Sequence, residues 1–344
     1  MRTRLKQFRE LQVFWPLIIF FGILATGGLI TGGSFFKMSI VDGHLFGRLI
    51  DIIRNGSKLM LLSIGMTMVL ATGGTDISVG SVMAISGAIA CSIIDSRILT
   101  WLNGNVAAAI TLALISGVIC GLWNGILVSR MKLQPIVATM ILLVAGRGIA
   151  QLITKGKIVT INSPAYYFIN GGYVLGLPFP IYLVAAALIL ALVFTKRTSF
   201  GLFLESTGYN PEASRFAGIK VANIKLLSYV ISGFMAAMAG LIESAGIKGA
   251  DCNNAGQFIE LDAILAVAIG GTILSGGKHS IPASIIGALV IQSITTLVLT
   301  KEVAPQVTQV VKALIVIAIC LFQSKEFKDA VLSKFRVEKA VQKI

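Results

Sequence analysis

ATGGTDISVG, residues 71–80, sets an aspartate among glycines between two apolar runs, Leu59 to Ala71 before it and Ile77 to Ile94 after it. Its meaning depends on the surrounding solvent. In water it is a turn. In a bilayer it is a polar break between two spans, and its backbone groups must find partners inside the protein. Composition decides between the two. Of 344 residues 56% are hydrophobic and only 13% charged, with a mean hydropathy of +0.88, whereas soluble domains carry about 25% charge. The chain is therefore an all-α polytopic membrane protein, and no polar stretch is long enough for a separate soluble domain, so residues 1–344 form a single transmembrane domain.

Outward from the break, apolar segments fall at about 13–30, 59–71, 77–94, 106–129, 133–153, 173–195, 226–247, 263–275, 281–299 and 303–322. Most are long enough to cross ~30 Å of hydrocarbon as helices, which gives about ten spans. Strands are excluded by the missing two-residue alternation and by runs such as AAAITLALISGVICGLW. The basic N-terminus followed by Val13–Ile30 reads as a first anchor, not a secretory leader, because the run is long and lacks a small-residue cleavage site. The net charge of +14 points to membrane topology and not to nucleic acid. With both termini in the cytoplasm, the cytoplasmic segments hold twice as many Lys and Arg as the opposite ones, as insertion favours.

The second and eighth segments are expected to be short, and each leads into a similar pattern. Gly73-Gly74-Thr75-x-x-Ser78-x-Gly80 recurs as Gly270-Gly271-Thr272-x-x-Ser275-x-Gly277. Repeats of glycine-interrupted helices mark substrate paths in transporters; chance likeness between two Gly/Ser turns is the alternative.

Nothing points to catalysis. GGTILSGGKHS lacks the first glycine of a nucleotide-binding loop and has His279 where that loop needs Ser or Thr. His44 and His279 belong to no catalytic or metal constellation, and Cys91, Cys120, Cys252 and Cys320 read as packing residues. No cofactor, metal or catalytic residue is expected.

Charges within spans carry more information, because each costs about 2.5–3.5 kcal/mol unless paired or hydrated. They are Asp76, Arg147, Glu243 and Lys312. Asp76, with Ser78, reads as a gate residue at the break; a purely structural role is the alternative. Arg147 reads as either an ion-pair member or a pathway residue, with Gly146 and Gly148 permitting close helix approach. Glu243, near an outer end, could be simply solvated. Asn124, beside Trp123, and Asn253 and Asn254 are candidate contacts for a neutral polyol; helix packing and an Asn-rich turn are the alternatives.

The 196–225 loop carries the strongest local signal. Asn210-Pro211-Glu212-Ala213-Ser214-Arg215-Phe216-Ala217-Gly218 spells a short helix, with Asn210 as N-cap, Pro211 at the first position, Glu212 at the positive dipole end and Gly218 closing it. It presents Phe216 beside small alanines as a knob for a partner's groove; lying on the membrane surface is the alternative.

TGGTDISVGSVMAISG, GLWNGILV, NPEASRFAGIKV and LDAILAVAIGGTILSGG, in this order, resemble the permease subunits of ribose-type sugar ABC importers over nearly the whole chain. VAGRGIAQLIT, the NSP at 162–164 and GADCNNAGQFIELDAILAV are similar to galactofuranose-importer permeases within that family. Thr75 and Cys252 depart from the family pattern. The resemblance implies a multi-pass protein of the bacterial inner membrane working with a cytoplasmic ATP-binding subunit, a second permease copy or paralogue, and an extracytoplasmic sugar-binding protein. It further implies that Glu205, Gly208, Asn210, Pro211, Ala213, Phe216 and Gly218 couple to the ATPase. The competing reading is a secondary transporter or channel driven by an ion gradient through Asp76 and Glu243.

Overall fold

The computed structural model describes residues 13–41, 43–102, 104–300, 309–315 and 317. The basic tails and most of the 303–322 segment lie outside the described residues; 309–315 are helical. Among the described residues twelve α-helices precede this stretch: α1 (Phe14–Ile30), α2 (Arg48–Ala71), α3 (Val79–Ile94), α4 (Val106–Ser129), α5 (Pro135–Thr154), α6 (Pro164–Gly171), α7 (Phe179–Arg197), α8 (Phe200–Tyr209), α9 (Pro211–Phe216), α10 (Val221–Gly246), α11 (Ile259–Ile269) and α12 (Ile281–Leu299). Five of them, α4, α5, α7, α10 and α12, are long and apolar enough to cross a bilayer. Three small antiparallel pairs join the connections: β1 (Met38–Val41) with β2 (His44–Gly47), β3 (Val159–Thr160) with β6 (Gly249–Ala250), and β4 (Tyr173–Val174) with β5 (Leu177–Pro178).

Helix ends follow local chemistry. Asn105 caps α4 by accepting from the Ala108 amide at 3.1 Å, and α5 starts with proline at its first position. Gly73, at φ 74°, ends α2 in a conformation that only glycine adopts cheaply.

α10 is the central post, buried against α2, α3 and α4. Its approach to α4 is very close. A methyl group at Gly117 would lie 2.4 Å from the Gly233 carbonyl oxygen, and one at Gly121 would lie 2.4 Å from that of Tyr229. Gly117, Gly121 and Gly125 recur every four residues, the small-residue spacing that lets apolar helices gain backbone contact where no hydrophobic drive exists between them.

Several expected boundaries are corrected. The second span is not short, because α2 begins at Arg48 and runs for 24 residues. Its charged first turns are accommodated: Lys58 pairs with Glu243 of α10, and Arg54 Nε donates to the Asn170 carbonyl at 3.2 Å. Glu243 is therefore paired and not simply solvated. The sixth span starts at Phe179, since Tyr173 to Pro178 form the β4–β5 hairpin. The seventh starts at Val221. The eighth is short, as expected, but ends at Ile269, so the glycine pattern after it is all break.

Candidate functional site

The first break, residues 72–78, is folded into the bundle and held there by hydrogen bonds. Asp76 is buried. Its Oδ1 accepts from the Ser78 amide at 3.1 Å and the Ser78 hydroxyl at 2.7 Å, and its Oδ2 accepts from the Ser232 hydroxyl of α10 at 2.8 Å. Asn124 of α4 donates to the Ser78 hydroxyl at 2.8 Å. Tyr229 of α10 donates to the Thr75 carbonyl at 3.2 Å, and Thr139 of α5 accepts from the Ile77 amide at 3.3 Å. Three helices thus supply the partners that non-helical backbone at this depth requires. A carboxylate suits the centre because it accepts several bonds at once, and charge-assisted bonds are the strong ones.

The second break meets the first. The Gly277 amide donates to the Ala71 carbonyl at 2.8 Å, and Thr272 Oγ1 accepts from the Ser280 amide at 3.4 Å. Both junctions rest on α8. A methyl group on Gly208 would lie 1.9 Å from the Ala71 oxygen and 2.2 Å from the Gly277 nitrogen. His279 stands 3.3 Å from the Glu205 carboxylate of α8. Burial pushes this imidazole below its usual pKa, and the Glu205 charge offsets part of the shift.

One residue beyond α8, the chain enters α9. Asn210 Oδ1 accepts from the Ala213 amide at 3.0 Å, Pro211 holds the first position, and Gly218 closes the helix at φ 84°. Phe216 is 90% exposed. The ring stands on a six-residue helix and has no socket among the described residues.

A second group of polar residues lies toward the other end of the bundle. Arg147 has no ion-pair partner among the described residues; its Nη1 donates to the carbonyls of Cys252 at 2.9 Å and Ala255 at 2.5 Å. Gly146 packs against Ser81 and Ile85 of α3, whereas Gly148 meets nothing, so only one of the two glycines serves helix approach. Asn253 and Asn254 sit in a turn around Asp251, whose carboxylate accepts from both of their amides. Lys312 pairs with Asp262 at 2.7 Å.

The family model described as branched-chain amino acid transport system, permease component, matches residues 48–320. This chain belongs to that permease family. The permease is 47% identical over 293 residues to the galactofuranose transporter permease of Escherichia coli K12, covering 85% of this chain and 84% of that one. It is 39% identical to the fructose import permease of Bifidobacterium longum, over 83% and 80% of the two chains. It is 34% identical to the ribose import permease of Haemophilus influenzae, over 83% and 88%. No solved structure matches. These relatives are transport components, and the permease is a multi-pass membrane protein.

In the permease, Asp76, Ser78 and Asn124 come together, and Glu205, Gly208, Asn210, Pro211, Ala213, Phe216 and Gly218 form one continuous element. Arg147, Asn253 and Asn254 are brought to a separate place. Sequence reasoning missed Ser232, Tyr229 and Thr139, since a lone hydroxyl within an apolar helix looks the same whether it bonds its own backbone or a distant carboxylate.

Proposed function

We propose that the chain is the membrane-spanning subunit of an ATP-binding-cassette importer in a bacterial inner membrane, carrying a monosaccharide into the cytoplasm under the power of a separate ATPase. The observation that carries this reading is the capped α9 with Phe216 exposed, joined through α8 to both glycine breaks. A self-sufficient carrier has no use for such a knob. Galactofuranose is the proposed sugar, supported by the 47% identity to the galactofuranose permease. The full assembly would comprise about ten spans with both termini in the cytoplasm, a second permease copy or paralogue, the cytoplasmic ATP-binding subunit at α9, and an extracytoplasmic sugar-binding protein.

In this mechanism the ATPase grips α9 and moves it as it binds and hydrolyses ATP. α8 follows because Asn210 alone separates the two helices. The Gly208 contact passes the motion to the ends of α2 and α11 and the starts of α3 and α12. These packed elements have discrete arrangements, so a small shift at α9 is converted into a change of access. The ion-driven reading finds less support, since Asp76 already accepts three hydrogen bonds from the protein and Glu243 is paired with Lys58.

The test is uptake of labelled galactofuranose by proteoliposomes holding the permease, its ATPase and the binding protein. Accumulation should require ATP and stop without the ATPase. Uphill accumulation by the permease alone under an ion gradient would refute the importer reading.

A further inference from the structure

The chain from Cys252 to Phe258 is not helical, yet it runs deep into the bundle. It starts beside β6 at the Thr154 end of α5, where Gln151 Nε2 donates to Asn253 Oδ1 at 2.7 Å. It descends until a methyl group on Gly80 would lie 2.3 Å from the Gly256 carbonyl oxygen. The adjacent Ser81 hydroxyl donates to the Leu142 carbonyl at 3.0 Å. Leu142 is about 18 Å from the Thr154 end of α5 at 1.5 Å per residue, more than halfway across a ~30 Å helix. α11 therefore begins near mid-depth, with Phe258 at φ 62° as the turning residue.

The polar side chains of this segment and of α5 beside it are open. Gln151, Asn253 and Gln257 are exposed. Arg147 spends only Nη1 on backbone carbonyls, and its other donors have no partner among the described residues. Glu260 Oε2 is buried against Gly80 and unpartnered. Lipid cannot cover irregular backbone and the Gln257 carboxamide at this depth; only water or protein can.

Resting on the importer reading, we propose that Arg147, Gln151, Asn253, Gln257 and Glu260 form a hydroxyl-binding station for the transported monosaccharide, on a water-facing strip that runs from the Thr154 end of α5 to about halfway across the permease. The residue set selects for that chemistry. A sugar offers neighbouring hydroxyls that donate and accept together; Glu260 only accepts, Arg147 only donates, and the carboxamides do both. A cation would be repelled by Arg147 and an anion by Glu260, whereas a neutral polyol satisfies both. Binding here would stay weaker than on a dedicated binding protein, because an open strip leaves part of the sugar to water, and weak binding lets the solute leave inward.

The experiment uses the permease with its ATPase and binding protein in nanodiscs and proteoliposomes. A Gln257→Cys variant is treated with a charged, water-soluble thiol reagent and read against the parent chain. Labelling should occur and should slow when the binding protein delivers galactofuranose. A cysteine that stays unlabelled, as lipid or a packed second copy would leave it, or labelling indifferent to sugar, overturns the station. Glu260→Ala should cut uptake per ATP about tenfold, since a site built for hydroxyls loses specificity with its acceptor. Glu260→Gln should restore part of it, and the ratio of galactofuranose to ribose uptake should change. Assembly of the variant with its ATPase and binding protein should match that of the parent chain. Parental rates and ratio in Glu260→Ala overturn the proposal while leaving the importer reading intact. A parent complex that accumulates no monosaccharide with ATP fails the importer reading first.

Discussion

Gly208→Ala replaces a hydrogen with a methyl group where the structure has no room. The new Cβ would lie 1.9 Å from the Ala71 oxygen and 2.2 Å from the Gly277 nitrogen, about 1.5 Å short of ordinary van der Waals separation. Both obstacles are backbone, and both are tied, since the Gly277 amide donates to the Ala71 carbonyl. No rotamer can relieve the clash, so α8 must withdraw from the junction. Overpacking of this kind costs about 1–3 kcal/mol. Charged to the docked arrangement alone, it shifts the docked–undocked balance by about 5–150-fold. ATP hydrolysis would continue, because α9 and its Phe216 are untouched, while the motion no longer reaches the breaks. Uptake and hydrolysis measured together in proteoliposomes should show sugar carried per ATP falling at least about fivefold, the lower end of that range. Gly218→Ala is the comparison: its φ is 84° but nothing lies within 4 Å, so it brings strain without a clash. Wild-type coupling in Gly208→Ala would refute the mechanical route.

Replacing Pro211 and Phe216 with charged residues should abolish uptake while membrane insertion persists, and pull-down should show the ATPase lost; Asn210→Ala should weaken α9 by about 1 kcal/mol and act in the same direction more mildly. Asp76→Asn removes one of the acceptors that hold Ser78 and Ser232, costing about 1–3 kcal/mol; thermal unfolding in detergent should show it, and uptake should fall further than assembly. His279 has a folded pKa below its unfolded one, so the unfolded chain binds more protons and stability rises with pH. Acidification through the unfolded value, about 6.5, should lower the melting temperature, and His279→Gln should flatten that slope.

Much of the fold was legible because lipid imposes a severe rule: a long apolar run can only be a helix or part of a barrel. The α9 cap was legible for a different reason, since Asn210, Pro211 and Gly218 act on their own neighbours and need no tertiary partner. What remained hidden depends on contacts distant in sequence. The start of α2 at Arg48 was masked by charges that are tolerated because Glu243 and the Asn170 carbonyl receive Lys58 and Arg54. Asp76 announced itself as costly, but Ser232 and Tyr229, more than 150 residues away, carried no mark of being its neighbours. The Gly117, Gly121 and Gly125 spacing was visible in the sequence; its partner on α10 was not.

The meeting of the two breaks gives the glycine repeat a mechanical meaning that can be separated from simple backbone strain. Gly271 of the repeat and Gly276, next to the repeat's Gly277, both have positive φ, 76° and 100°, so alanine at either should cost about 1–2 kcal/mol in conformational strain. Their surroundings differ. A methyl group at Gly271 meets nothing within 4 Å, whereas one at Gly276 would lie 2.9 Å from the Gly208 oxygen and 2.9 Å from the Gly73 nitrogen. If the glycines serve only to let the chain turn, the two alanine variants should lose uptake alike. If they serve to bring three backbones into direct contact, so that no flexible side chain absorbs the displacement of α8, Gly276→Ala should uncouple hydrolysis from uptake and Gly271→Ala should leave coupling near the parental level. The second outcome follows from the packing, because a junction of bare backbone has few arrangements and transmits a shift where a looser one would dissipate it. Equal losses in the two variants would return the repeat to the status of a pair of turns.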